Sequence, residues 1–143
     1  MNKIALIVLL ISTMISCDKD TYEFPDARVN YYLYPNNLEY AGLHSPGGYA
    51  TIEGGVNGIL LFHNFIFNDY SDIYNAYDRA CTNDPLNSCE QVYVDEENLN
   101  TLSCLCCESQ YFIFDGAVIK GPAKQALHRY STSFDGVTLR IFN

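Results

Sequence analysis

Five of the six cysteines fall between Cys81 and Cys107: Cys81, Cys89, Cys104, Cys106 and Cys107. An odd number cannot all pair, so at least one sulfur in this stretch stays outside any disulfide. Clustering with an odd count points to metal or cluster ligation over a purely disulfide framework. Cys104-Leu105-Cys106-Cys107 supplies a C-x-x-C spacing, which lets two thiolates reach one ion from a tight turn. A second such knuckle, which would make a zinc site a strong reading, is absent from the sequence. The fold must therefore bring sulfurs together from separate loops.

The sixth cysteine stands in a different context. Met1-Asn2-Lys3 carries one positive charge, Ile4 to Ile11 is an uninterrupted apolar run, and Ser12 to Ser16 precedes Cys17. That is a charged n-region, a short h-region and a small residue before a cleavage point. The run is too short to span a bilayer, which takes about 20 apolar residues. Met14-Ile15-Ser16-Cys17 resembles a bacterial lipobox, with Met14 in the usual leucine position. The resemblance implies cleavage before Cys17 and acylation of it, hence a membrane partner through a lipid anchor in the cell envelope, at the outer membrane or cell surface. The expected organisation is a signal peptide over 1–16, a tether over 17–28 and one domain over 29–143. Asp18-Lys19-Asp20 gives the tether an acidic start, read as a surface-export mark or a solvated linker.

Loss of the leader removes Lys3 and no acid, leaving seven Lys+Arg against 17 Asp+Glu, a formal charge of −10. Such a chain is repelled by phosphate backbones, so nucleic acid is excluded as a partner.

Twelve Tyr and eight Phe, with Val, Ile and Thr, favour strands. Expected strands cover Val29–Tyr34, Tyr49–Ile52, Gly58–Phe67, Ile73–Tyr77 and Gln91–Val94. A turn is expected over Asp69–Asp72. Two hairpins with two-residue type I′ turns are expected at Asp115-Gly116 and Asp135-Gly136. No stretch carries a sustained helical period with caps. The chain reads as all-β, a sandwich or small barrel.

Cys104 to Tyr130 reads CLCCESQYFIFDGAVIKGPAKQALHRY. This is similar to the second box of the Rieske iron–sulfur family, C-P-C-H-G-S, with the aromatic, D-G turn, G-P-A and Leu…Tyr that follow it. The matching residues are Cys104, Cys106, Ser109, Tyr111, Asp115-Gly116, Gly121-Pro122-Ala123, Leu127 and Tyr130. Phe134 to Leu139 fits the final strands, and Ala80-Cys81-Thr82-Asn83 resembles the first box, C-T-H. The resemblance covers roughly Gly48 to Asn143. It implies antiparallel sheets with a small rubredoxin-like, cysteine-bearing subdomain.

It also implies ligands, with two substitutions. The family's thiolate positions are Cys81 and Cys104. Its histidine positions are Asn83 and Cys107. Neutral imidazoles raise the potential of a Rieske cluster, a third thiolate lowers it, and an amide oxygen is a poor iron ligand. Cys89 is the candidate fourth ligand beside Cys81, Cys104 and Cys107. The respiratory members tie the boxes with a disulfide whose second-box position is Cys106. The first-box position is Leu86, for which Cys89, three residues on, can substitute. Glu108 replaces a glycine and costs on the order of 1 kcal/mol if the turn needs positive φ. Ser109 in the family hydrogen-bonds a cluster sulfur, and Tyr111 packs near the box.

Three cofactor states stay open on this reading: a 2Fe-2S cluster, zinc, or none. The function classes are a one-electron carrier with a redox partner protein, or a binding or structural module stapled by zinc or a disulfide. Nothing supports a catalytic triad or an oxyanion hole. His44, His63 and His128 are scattered, His63 within an apolar strand, and are read as satisfied residues. Asp95-Glu96-Glu97 is read as a solvated loop.

Overall fold

The computed structural model describes residues 23–65, 74–87, 89 and 91–143. Cys17 and the leader lie outside the described residues, as does the expected Asp69–Asp72 turn.

The described chain is almost entirely antiparallel β. Its strands are β1 Asn30–Leu33, β2 Tyr49–Ile52, β3 Ile59–His63, β4 Tyr74–Asp78, β5 Val92–Val94, β6 Thr101–Cys104, β7 Gln110–Phe112, β8 Val118–Lys120, β9 Arg129–Phe134 and β10 Leu139–Phe142. Six form one sheet in the order β1-β10-β9-β4-β3-β2, and four form a second in the order β5-β6-β7-β8. The second sheet is one continuous insertion between β4 and β9, which themselves pair at Ala76↔Tyr130 and Tyr77↔Arg129. The cysteine-rich stretch is thus a subdomain hung from two neighbouring strands.

The apolar run of β3 explains how the subdomain is seated. Successive side chains of a strand face opposite ways. Ile59 and Leu61 enter one buried cluster with Val29, Leu43, Tyr130, Leu139 and Ile141. Leu60 and Phe62 enter a second with Tyr77, Val92, Leu102, Tyr111 and Leu127. The first cluster is the core of the six-stranded sheet, and the second joins that sheet to the subdomain. A strand covered on both faces needs no polar alternation, as the sequence shows. Each fully buried side chain of this size contributes roughly 1.5–3 kcal/mol.

Several sequence expectations are corrected. β6 was not foreseen, and Leu38–Leu43 forms a short 3-10 segment where no helix was expected. The expected Gly58–Phe67 strand ends at His63. Neither Asp-Gly pair makes a type I′ turn, which needs positive φ at both central residues. Only the glycines have it, at 75° for Gly116 and 95° for Gly136. The aspartates instead cap the loops. Asp115 Oδ1 accepts from Ala117 N–H at 2.9 Å, and Asp135 Oδ1 accepts from Val137 and Thr138 N–H at 2.9 and 2.6 Å. Longer loops, 113–117 and 135–138, result. The segment read as tether already touches the domain near its end. Phe24 stacks on His128 with ring centroids 4.4 Å apart, and Ala27 C=O accepts from Asn143 Nδ2 at 2.7 Å.

Candidate metal centre

Asp78 closes β4 and fixes where the first cysteine loop starts. Its carboxylate is fully buried. Oδ2 accepts from Tyr130 Oη at 2.7 Å and Val56 N–H at 2.6 Å. Oδ1 accepts from Ala80 N–H at 2.8 Å and Asn57 N–H at 3.2 Å. Burial and the Asp78 contact both hold the Tyr130 phenol far above its ordinary range, so it stays a donor. A Cβ on Gly55 would collide with Asp78 Oδ2 and Tyr130 Oη, and Gly55 has φ 61°, so only glycine serves there. These contacts aim the chain from Asp78 to Cys81.

Two loops then meet. The first runs from Arg79 to Gln91 and carries Cys81. The second follows β6, which ends on Cys104, and carries Cys106 and Cys107. Within it Glu108 N–H donates to Cys104 C=O and Cys104 N–H to Ser109 C=O, both at 2.9 Å. This tight closure puts Glu108 at φ 59°, the left-handed region that a glycine would occupy freely. The loops are strapped by a Cys89–Cys106 disulfide with Cα atoms 5.8 Å apart. Leu86, at the family's disulfide position, is exposed.

Cys81, Cys104 and Cys107 remain as thiols, with Cys81 and Cys104 buried and Cys107 partly open. Their sulfurs all lie within 4.8 Å of one another, and Cys81 and Cys107 are 3.5 Å apart. Cys89 cannot be the fourth ligand here, because its sulfur is bonded to Cys106. Asn83 lies exposed in the turn after Cys81. No histidine joins the group among the described residues. His63 Nδ1 lies 2.7 Å from Leu43 C=O and His44 Nε2 3.2 Å from Asn37 C=O, and His128 packs between Phe24 and Tyr130.

Hydroxyl groups back two of the sulfurs. Tyr111 Oη is 3.1 Å from Cys81 Sγ. Burial first, then the Cys81 contact, raises its pKa far beyond neutrality, so it keeps one hydrogen to give. Thr82, which the sequence gives no role beyond its place in the first box, directs that hydrogen. Thr82 Oγ1 donates to Gln125 C=O at 2.6 Å and can only accept from Tyr111 Oη, 3.0 Å away. Tyr111 therefore chooses between Thr82 and Cys81, and a thiolate is the stronger acceptor. Ser109 Oγ accepts from Ala123 N–H at 2.9 Å and from the Cys107 thiol at 3.1 Å. The Gly121-Pro122-Ala123 segment thus buttresses the second loop. Thr82 follows Cys81 directly in the box, the one sequence signal that marked it.

The chemistry of the donors can be weighed against the Rieske cluster. That cluster takes four ligands shared between two irons, two thiolates and two imidazoles. Here are three thiols and no imidazole, all on one small triangle. Four sulfurs at about 2.3 Å around a tetrahedral ion lie roughly 3.8 Å apart. The triangle could close on a single ion, and among the described residues it lacks the two imidazoles with which Rieske proteins hold their second iron.

No protein-family profile matches the chain, and no curated protein matches it in sequence. Solved structures do. The plasma membrane Rieske protein PetC3 of the cyanobacterium Synechocystis PCC 6803 is similar at 19% identity, over 82% of this chain and all of that one, with a TM-score of 0.55. The ferredoxin of carbazole 1,9a-dioxygenase from Nocardioides aromaticivorans IC177 is similar at 16% identity, over 71% of this chain and 92% of that one, with a TM-score of 0.46. The first likeness shows a Rieske-like fold for the described chain. Among the described residues no helix is long and apolar enough to cross a membrane.

Proposed function

We propose that this chain is a lipid-anchored envelope protein whose Rieske-like fold carries a single-ion thiolate centre. It acts as a metal-stapled binding module and not as a carrier built on the usual cluster. The observation that carries this reading is the triangle of Cys81, Cys104 and Cys107 sulfurs within 4.8 Å, with Cys89 already committed to Cys106. A bound ion would hold the two cysteine loops together beside the disulfide, and soft thiolates favour zinc or cuprous ion. The anchor reading rests on the leader and Cys17, with residues 1–16 removed, a short tether, and the domain starting by Val29. It also agrees with the membrane location named for the PetC3 neighbour.

The one-electron reading has its own support. Cys81 and Cys104 occupy the two thiolate positions of the resembled boxes, and Tyr111 and Ser109 stand against sulfurs as cluster-supporting hydroxyls would. In that case a 2Fe-2S cluster would need a fourth ligand beyond the three thiols.

Iron and acid-labile sulfide analysis after anaerobic reconstitution separates the two. The single-ion reading expects a protein without iron–sulfur colour and without labile sulfide. Stoichiometric iron and sulfide with visible absorption would replace it by the electron carrier. Intact mass of the membrane-extracted protein tests acylation at Cys17.

A further inference from the structure

Resting on the single-ion reading, we infer that the ion this centre selects is cuprous copper, held by Cys81, Cys104 and Cys107 alone. Zinc in a structural site closes with four ligands. The described residues provide three, all sulfur, and the fourth nearby sulfur that could have served is in the Cys89–Cys106 disulfide. Three soft thiolates satisfy a monovalent copper ion in trigonal coordination, and softness is what separates it from harder competitors.

Zinc could complete its shell with water, but such a water needs polar partners of its own. The described hydroxyl groups beside the sulfurs are already engaged. Tyr111 Oη stands 3.1 Å from Cys81 Sγ and Ser109 Oγ 3.1 Å from Cys107 Sγ. Among the described residues, Leu102 and Ala123 belong to the same buried cluster as Cys81 and Cys104, with Cys107 packed against it. Cys107 is the least buried of the three and marks the side from which the ion enters.

Binding exchanges one Cu(I) for three thiol protons, forming three Cu–S bonds and breaking three S–H bonds. No electron moves, because the metal is supplied already reduced. The two hydroxyl groups then serve as outer hydrogen-bond partners of bound sulfurs, and their loss weakens affinity without removing a ligand.

The test uses the full chain in detergent, prepared anaerobically with its disulfide intact. Cu(I) is titrated against a chromogenic Cu(I) chelator, and Zn(II) is titrated separately and then challenged with Cu(I). Expected are one Cu(I) per chain, displacement of bound Zn(II), and an X-ray absorption signature of three sulfurs with no nitrogen or oxygen shell. Cys107→Ser should lower Cu(I) affinity by more than the roughly 100-fold that loss of an outer partner can cost. The absorption signature keeps the test decisive if that variant folds poorly. Zinc held with an oxygen or nitrogen fourth ligand and not displaced by Cu(I) overturns the copper assignment and leaves the single-ion reading standing. Binding of neither metal, or recovery of iron with labile sulfide, overturns both.

Discussion

The two sheets of this molecule are held by different means. The six-stranded sheet is sealed by large side chains, with Tyr74, Tyr130, Leu139 and Ile141 buried in one cluster. The four-stranded insertion has three strands of three residues and one of four, too short to make much of a sheet alone. It leans on β3 and β4 through the second cluster and is further closed by sulfur: one disulfide and three neighbouring thiols. The lesson is a division of labour. The sheet preserves the Rieske-like fold by packing, which tolerates sequence change. The insertion adds to its share of the second cluster a few polar and sulfur contacts.

That contrast can be broken at the joint between the regions. Asp78→Ala leaves four donors unpaired, two of them buried, from Ala80 and Tyr130, and two part-buried, from Val56 and Asn57. It should cost on the order of 4 kcal/mol, since each orphaned buried group costs roughly 1–3 and the losses are not additive. Urea unfolding measures it, and a loss under 1 kcal/mol would show that the carboxylate is not the anchor of the first cysteine loop.

A smaller effect is expected at the strap. The disulfide spans 17 residues. Changing Cys89 and Cys106 together to Ser should cost about 3 kcal/mol by loop-closure entropy. Hydrogen exchange should rise in β5 to β8 with β3, β4 and β9 still protected. Uniform loss of protection across both sheets would contradict the division of labour.

Tyr111→Phe removes the hydroxyl facing Cys81 with little change in packing. Metal affinity should fall about 10- to 100-fold, the usual cost of losing an outer partner. An unchanged affinity with unchanged stability would assign the hydroxyl to Thr82 alone.

The smallest change goes the other way. Glu108 sits at φ 59°, and its side chain makes one exposed ion pair, with Lys120 Nζ 3.4 Å away. Exposed pairs contribute little. Glu108→Gly should therefore stabilise by about 0.5–1 kcal/mol, relief of the left-handed strain outweighing the added freedom of the unfolded chain. Destabilisation would mean that the ion pair, not the backbone, governs this turn.

Glu108 also shows what kind of feature a sequence reveals. Its strain followed from one residue standing in a glycine position, because the requirement is local. The strands of the large sheet were readable for the same reason: Ile59 to Phe62 can only be a doubly covered strand or a buried helix, and flanking turns decide between them. β6 was hidden because Thr101 to Cys104 is short and mixed, and its strand form comes from pairing on both sides with β5 and β7. The hairpin loops were misjudged because aspartate can cap as readily as it can adopt positive φ. At the site, the cysteines declared themselves, and the resemblance offered the Cys89–Cys106 bridge beside Cys89 as a fourth ligand, leaving open the partition into one disulfide and one triangle that the structure has. That partition depends on which loop meets which, set by the Asp78 contacts, and no spacing rule encodes it.

On the proposed function, the insertion is built around one ion where Rieske proteins hold two irons. Native mass spectrometry of the full chain, extracted anaerobically, weighs that ion directly. The expected added mass is that of a single metal with three protons lost. An added mass of two irons and two sulfides would contradict it.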